Sequence, residues 1–400
     1  MRTVKLVKYL PSFGWEPVVL TVSRKDSWMP DEGMANEVSG SSIYRCGDWI
    51  SRFKSSSPGD AQPGPATRQS VASRLKWWLK ETVKTLLVPD KRAGWLVPAV
   101  LLGLKLIKDE DISLIYATAP PQTPLLVGYM LSILSGKKLI VDYRDMWTGN
   151  RIFAPAFRFQ KAINRLLEAR VLSKADLLVA TTEPMAAKLS EMSGKEVVTI
   201  LNGFDPADFL ELKPMDFHSS KVNVVYLGGF GGFRTSRYLI DALMSLDPAL
   251  KDRIAFHMVG KNEREETVLL EAAVHGGWEI NVRGPVAHKE ALRYLCSADV
   301  LVVFIFDEED SSTAIPGKVY EYLAAKKPIL AFCGENSALA CLLHGLGFGR
   351  IVNPCDVEGI KESLKALLEE GQHLPAFSDA PFNRRENANR LAAHFDRLMS

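Results

Sequence analysis

From residue 96 onward, short aliphatic runs alternate with amphipathic segments of helical period, and the alternation restarts once. The first series places strands at 114–117, 138–142 and 177–180, separated by helices at 96–108, 124–134 and 157–172. Aliphatic runs this short and continuous need cover on both faces, which the helices between them supply. That pattern predicts a parallel, doubly wound α/β sheet. The pattern breaks at the turn-rich Asn202-Gly203-Phe204-Asp205-Pro206 and begins again. Strands are then read at 223–227, 254–259, 280–283, 300–306 and 329–332, with helices at 236–246, 263–273, 288–296 and 357–369. Two such sheets facing across a cleft are expected, as domains 1–203 and 204–375. A last segment, 376–400, holds a helix that packs back toward the first domain.

The N-terminus departs from this regularity. Residues 1–9 read as a helix with Val4 and Val7 on one face, followed by a turn at 11–14 and a strand at 17–22. A doubly wound domain ordinarily opens on a strand and a Gly-rich turn. The first domain is therefore expected to lack its first strand. Residues 51–70 are rich in Ser, Pro, Gly and Gln and read as a mobile loop. Residues 73–87 read as a basic helix carrying Trp77, Trp78, Lys76, Lys80 and Lys84. Two readings fit it equally: an interfacial helix giving membrane-surface contact through 74–87, or a domain-packing helix with a basic outer face.

Composition narrows the class. A length of 400 residues implies at least two domains. Hydrophobic and charged shares of 47% and 24% are those of an ordinary globular protein. A net charge of +2 gives no global attraction for nucleic acid. Through Lys108, 17 Lys and Arg oppose 9 Asp and Glu, which suits an anionic surface on the N-terminal side. The longest apolar stretch, 124–134, is well short of the roughly 20 residues a spanning helix needs. No signal-peptide pattern opens the chain. Cys46, Cys296, Cys333, Cys341 and Cys355 are scattered, with no CxxC, and read as buried thiols of a reducing, cytoplasmic compartment. The histidines do not cluster, so no metal site is expected.

Three segments could carry chemistry. In 315–331, IPGKVYEYLAAKKPILA, an apolar run and an acidic loop lead to Gly317-Lys318 at a helix start, with Glu321 one turn in. Unpaired N–H groups and the helix dipole favour an anion there, Lys318 adds a point charge, and Glu321 can accept from sugar or ribose hydroxyls. The bland reading is an exposed Lys and a solvated Glu. The second segment, YLGGFGGFR at 226–234, follows a strand. Gly229 and its neighbours let backbone amides approach an anion, and Arg234 can grip a phosphate pair, or the loop is a plain tight turn. The third is DYRDMW at 142–147, where Arg144 and Asp145 either face the ligand cleft or pair to close a loop. Thr118-Ala119-Pro120-Pro121 reads as a rigid turn, and His288 as a cap or surface residue.

Taken in order, KLVKYLPSFGWEPVVLT, PDKRAGWLVPA, ATAPPQT, VDYRDMW, ADLLVATTE, LNGFDP, YLGGFGGFR, ADVLVV and GKVYEYLAAKKPIL resemble the group 1 (family 4) glycosyltransferases of bacterial surface-polysaccharide synthesis. The resemblance covers nearly the whole chain outside 51–70. It implies the GT-B fold, with two Rossmann-like domains and a nucleotide-diphospho-sugar donor held mainly by the second. It also implies retention of anomeric configuration without an obligatory metal or other cofactor, and a polysaccharide or lipid-linked acceptor at the first domain, at the cytoplasmic membrane face. Arg234 matches the residue that grips the donor diphosphate, with Gly229, Gly317 and Lys318 beside it. Glu321 matches the second glutamate of the family's pair, expected on the ribose, while Thr313 stands where the first would be. Arg144 and Asp145 match the acceptor-side element, where Asp145 would orient or deprotonate the acceptor hydroxyl. The family's first strand and Gly-rich loop should precede Arg2, which leaves two expectations: a start further upstream, or an impaired enzyme. A catalytically impaired nucleotide-sugar-binding homologue and a nucleotide-sugar epimerase on the same scaffold are the alternatives.

Overall fold

The computed structural model describes residues 1–26, 37–50, 87–150, 157–217, 220–232, 234–305, 312–369 and 376–400. The expected loop at 51–70 and almost all of the basic helix at 73–87 lie outside these residues. Two compact units are formed, Met1–Ile200 with Ala388–Ser400, and Leu201–Asn387.

In the first unit, α1 (Arg2–Tyr9) precedes β1 (Val18–Val22) and β2 (Ser42–Cys46), which pair parallel with one another. Next come α2 (Leu96–Asp109), β3 (Leu114–Ala119), α3 (Thr123–Ser135), β4 (Lys138–Tyr143) and α4 (Arg158–Lys174). β5 (Leu177–Ala180), α5 (Glu183–Ser193) and β6 (Val197–Thr199) complete the series. β3, β4, β5 and β6 form a four-stranded parallel sheet in that order. The single first sheet expected from the sequence is therefore two, among the described residues: the β1–β2 pair and the four-stranded sheet. On one face of the latter pack Ala99, Leu125, Leu131 and Leu189. On the other lie Leu6 and Leu10 of α1 with Leu391, Ala392 and Phe395 near the C-terminus.

A buried charge network ties α1 to this sheet. Arg2 donates from Nε and Nη2 to the two carboxylate oxygens of Asp142, both at 2.9 Å, and from Nη1 to the carbonyl of Ile200 at 3.0 Å. Tyr116 and Thr118 donate hydroxyls to Asp142 as well, at 2.6 and 3.0 Å. Asp142 is fully buried. A buried carboxylate persists only when paired and hydrogen-bonded on every side, as here.

The second unit carries β7 (Val222–Leu227), α6 (Arg237–Ser245), β8 (Ile254–Val259), α7 (Arg264–His275) and β9 (Glu279–Arg283). It continues with α8 (His288–Ser297), β10 (Val300–Phe304), α9 (Gly317–Ala325), β11 (Ile329–Phe332), α10 (Ala338–Leu346), β12 (Arg350–Val352) and α11 (Val357–Glu369). A final helix, α12 (Arg384–Met399), joins the first unit from Ala388. The six strands are parallel in the order β12-β11-β10-β7-β8-β9. The chain thus leaves β7 toward one edge and returns at β10 on the other side. This makes the β7/β10 fork the topological switch point where such sheets bind ligands. α9 ends where Lys326 adopts a left-handed conformation (φ 53°), just before Pro328 bars any continuation.

The cysteines correct one expectation. Cys333 is buried, but Cys46 and Cys296 are partly exposed and Cys341 and Cys355 exposed, so they are not a set of buried thiols. Among the described residues no helix is long and apolar enough to cross a membrane.

Replacing Arg2 by Met should leave the buried Asp142 carboxyl without its cation. Loss of a buried partner costs on the order of 3–5 kcal/mol, so urea unfolding should show a drop of that size. The double variant with Asp142→Asn should recover part of it.

Candidate functional site

At the switch point of the second unit, two α9 side chains are brought to the ends of β7 and β10. Tyr322, fully buried, donates its hydroxyl to the carbonyl of Val302 and accepts from the amide of Leu227, both at 3.1 Å. It thereby satisfies one group on each strand just where their pairing stops, at Tyr226 and Val302. Lys318 donates to the carbonyl of Leu227 at 2.8 Å and sits 4.3 Å from the centroid of the Tyr226 ring. Burial, and then the charge of Arg234, pull its ammonium down to about 7 from the ordinary lysine range. Among the described residues neither Lys318 nor Arg234 forms an ion pair with a carboxylate.

The loop after β7 is set by its glycines. Gly228 has φ +149°, and a Cβ there would lie 3.0 Å from the Lys318 ammonium. At Gly229 a Cβ would lie 1.7 Å from the carbonyl oxygen of Lys261, so a side chain is barred by the loop after β8. Phe230 locks the two loops together, accepting from Glu263 and donating to Asn262, both at 2.9 Å. Gly231 and Arg234 exchange backbone hydrogen bonds, which leaves the exposed Arg234 side chain at the loop tip. Gly229 thus serves close packing, while Gly228, which the sequence did not single out, leaves room for the cation. Gly317 lies at the start of α9 with open space on its Cβ side.

Glu321 is not a solvated helix residue. Its Oε1 lies 2.9 Å from Nε2 of His288 at the start of α8. His288, read from sequence as a cap or surface group, instead bridges α8 to α9. Lys318 and Glu321 were read from their place at the helix start, whereas Tyr322 was not singled out, and the His288 contact needs two helices separated by β10 and could not be read from spacing.

In the first unit, Arg144 donates to the carbonyls of Ala119, at 3.2 Å, and of Pro120. Its guanidinium holds the turn after β3 against the loop after β4, which is a loop-closing role reached through carbonyls. Asp145, partly exposed, sits beside it. Trp147 is buried and donates its indole N–H to Asn164 at 3.0 Å. Thr148 donates its amide, at 3.2 Å, and its hydroxyl to Glu168. Asn164 and Glu168 of α4, unremarked in the sequence, therefore anchor the Asp145 loop. The start of α3 is capped from a distance by Asp90, which accepts from the amides of Gln122 and Thr123 at 2.6 and 2.8 Å.

Residues 1–203 match the family described as glycosyl transferase 4-like domain, and residues 221–370 match glycosyl transferases group 1. The chain belongs to the group 1 glycosyltransferases. No curated protein sequence matches it. Among solved structures it is similar to HepE of Anabaena in complex with UDP, at 14% identity and TM-score 0.60 over 98% of this chain and 90% of that one. It is also similar to sucrose-phosphate synthase from Thermosynechococcus elongatus, at 14% identity and TM-score 0.57 over 96% of each chain. A third is a structure titled putative UDP-N-acetylglucosamine 2-epimerase from Listeria monocytogenes, at 11% identity and TM-score 0.53 over 96% and 98%. These likenesses show the GT-B fold expected from the sequence.

In this glycosyltransferase the anchoring of the Asp145 loop should respond to pH. Burial pushes the Glu168 carboxyl up to about 7, only partly offset by Thr148. The folded protein therefore binds this proton more tightly than the unfolded chain. The stability so gained is complete below the ordinary carboxyl range and is lost as pH rises through about 7. Between pH 4.5 and 7.5, Glu168→Gln should remove a loss of stability of up to roughly 3 kcal/mol that the parent protein shows, read as the difference between their urea-unfolding curves.

Proposed function

We propose that this glycosyltransferase moves a sugar from a nucleotide-diphospho-sugar bound at the β7/β10 fork to a hydroxyl of a polysaccharide or lipid-linked acceptor bound by the first unit. The observation that carries the donor half is the pair of cations, Lys318 and Arg234, without a carboxylate partner beside a Gly-rich loop at the switch point. Keeping an ammonium in a site that lowers its proton affinity is costly unless an anion restores it. A diphosphate does so, and it gains charge as the glycosidic bond breaks, so the same cations stabilise the transition state. On the family resemblance, transfer retains the anomeric configuration and needs no obligatory metal, a reading to which the two cations at the diphosphate lend support. Glu321, one turn further along α9 and oriented by His288, accepts from the ribose hydroxyls. Asp145, on the loop that α4 anchors, orients or deprotonates the acceptor hydroxyl.

The bound ligands of similar folds support this reading: HepE of Anabaena has been solved with UDP and with UDP-glucose. A uridine diphosphate donor is the first to test. The acceptor reading places the protein in the cytoplasm, at the inner face of the plasma membrane, and rests on the family resemblance alone.

Titration with UDP at pH 6.5, 7.5 and 8.5 tests the donor half. The free protein sheds the Lys318 proton above about pH 7, while the diphosphate complex retains it. Affinity should therefore fall with rising pH, approaching about tenfold per unit. Lys318→Met should bind weakly with a flat profile. Equal affinity at all three pH values in the parent protein would remove Lys318 from the diphosphate site.

Glu321→Ala separates ribose from phosphate recognition. UDP affinity should drop about tenfold, as expected for a lost hydrogen bond to a charged acceptor. Affinity for inorganic pyrophosphate should be unchanged. A parallel loss for both ligands would assign Glu321 a structural role.

A further inference from the structure

In the first unit, the loops that leave β1, β2, β3 and β4 are tied end to end by hydrogen bonds. The amide of Asp48, after β2, donates to the carboxylate of Asp26, after β1, at 3.3 Å. Arg92 donates from Nη1 to the Asp26 carbonyl at 2.6 Å. Asp90 accepts from the amides of Gln122 and Thr123, where the turn after β3 enters α3, and Arg144, after β4, donates to that turn at Ala119. The carboxyl ends of the β1–β2 pair and of the four-stranded sheet therefore share one edge. Arg24, Arg45 and Arg92 come from three separate segments of this edge, and together with Arg144 they line one cavity of about 1770 Å³.

Among the described residues, none of these arginines is answered by an acid. Arg144 is tied to two carbonyls, but Arg45 reaches only that of Val22, at 3.2 Å, and Arg92 only that of Asp26. The exposed Arg24 side chain has no hydrogen bond among the described residues. A carbonyl fixes a guanidinium without neutralising it, and most of its five N–H donors stay available. The carboxylates of the same loops are engaged with other donors. Asp26 accepts from the Ser23 hydroxyl and the Asp48 amide, Asp48 from the Ile50 amide, and Asp90 from the amides of Arg92, Gln122 and Thr123. Plain solvated arginines have no need of such fixing, since holding a long side chain still costs rotamer entropy.

We propose that the molecule receiving the sugar carries a phosphate group, and that Arg24, Arg45 and Arg92 form the site that holds it. Its role as acceptor rests on the transferase reading above, whereas the anion site stands on the arginines alone. Guanidinium forks match phosphate oxygens two at a time. A phosphate ester brings up to two charges and three terminal oxygens, enough for three forks. A carboxylate offers one charge and two oxygens, and a neutral glycan offers neither, leaving three like charges to repel one another. Arg144 holds the turn after β3 at this edge, and Asp145 is the next residue. An acceptor gripped through its phosphate is thereby oriented for a hydroxyl to reach Asp145.

Calorimetric titration with inorganic pyrophosphate tests the site. The parent protein should bind two equivalents, one at the β7/β10 fork and one at this edge, and Lys318→Met should keep the second. In that background Arg24→Gln, Arg45→Gln and Arg92→Gln should each weaken it about tenfold or more, as expected for lost charged hydrogen bonds. Where Arg92→Gln does not fold, Arg24→Gln still decides, because the Arg24 side chain supports no other described residue through a hydrogen bond. Farnesyl diphosphate and glucose 6-phosphate, competed against pyrophosphate in Lys318→Met, separate a lipid-borne phosphate from a water-soluble one; displacement by either supports the proposal. Displacement by neither would leave a pyrophosphate site and remove the phosphate-bearing acceptor. Glucuronate competing as well as glucose 6-phosphate would overturn the choice of phosphate. A single equivalent in the parent, lost in Lys318→Met and indifferent to the arginines, would overturn the site itself. A single equivalent lost only in the arginine variants would keep this site and sink the donor reading instead.

Discussion

Parallel strand pairing is the constraint on which the rest of this structure depends. A parallel neighbour cannot be reached by a tight turn, so each strand is followed by a helix that runs back over the sheet. All carboxyl ends then open on one edge, and every loop with chemical content leaves from that edge. The Gly-rich loop follows β7, Lys318 and Glu321 follow β10, and the Arg144-Asp145 loop follows β4. Residues separated by almost a hundred positions, such as Leu227 and Lys318, become hydrogen-bonded neighbours without any specific long-range pairing code.

Charge is used in two opposite ways. In the first unit, several charged groups are answered internally: Arg2 by Asp142, Asp90 by the start of α3, Arg144 by two carbonyls. Such arrangements fix loops and helix ends. At the fork of the second unit, Lys318 finds one carbonyl and an aromatic face, and Arg234 lies exposed beside it. Burial first, and then the charge of Arg234, pull the lysine down toward 7, with no anion among the described residues there to restore it. That difference, more than the presence of basic residues, separates a binding edge from a well-satisfied structural one.

Much of the fold was legible because its signals are local and periodic. The strands at 177–180, 254–259 and 329–332 match the sequence reading residue for residue, since uninterrupted aliphatic runs bounded by turns admit little else. α5 was missed although its signals are present: Thr182 caps it by accepting from Met185, a proline sits in its first turn, and Gly194 ends it in a left-handed conformation. β6 and β12, three residues each, are too short for any periodicity and exist only because a neighbouring edge recruits them. At the candidate site Tyr322 was not singled out, while Lys318 and Glu321 of α9 were readable from helical spacing. Their partners were not: His288, Tyr226 and the carbonyl of Leu227 reach them only through the sheet order.

Sheet order also explains why β1 and β2 were the least legible part. A strand is recognised by a pattern that assumes cover, and β1 has such a pattern while β2, Ser-Ile-Tyr-Arg-Cys, does not. β2 lies outside β1 as an edge strand, with Ser42 and Arg45 exposed, so its mixed composition is that of a strand with one side open. The aliphatic β1 behind it is then a central strand by composition and an edge strand by pairing among the described residues. The mismatch between the composition of a strand and its pairing is thus a local readout of sheet topology, available before any comparison with another protein.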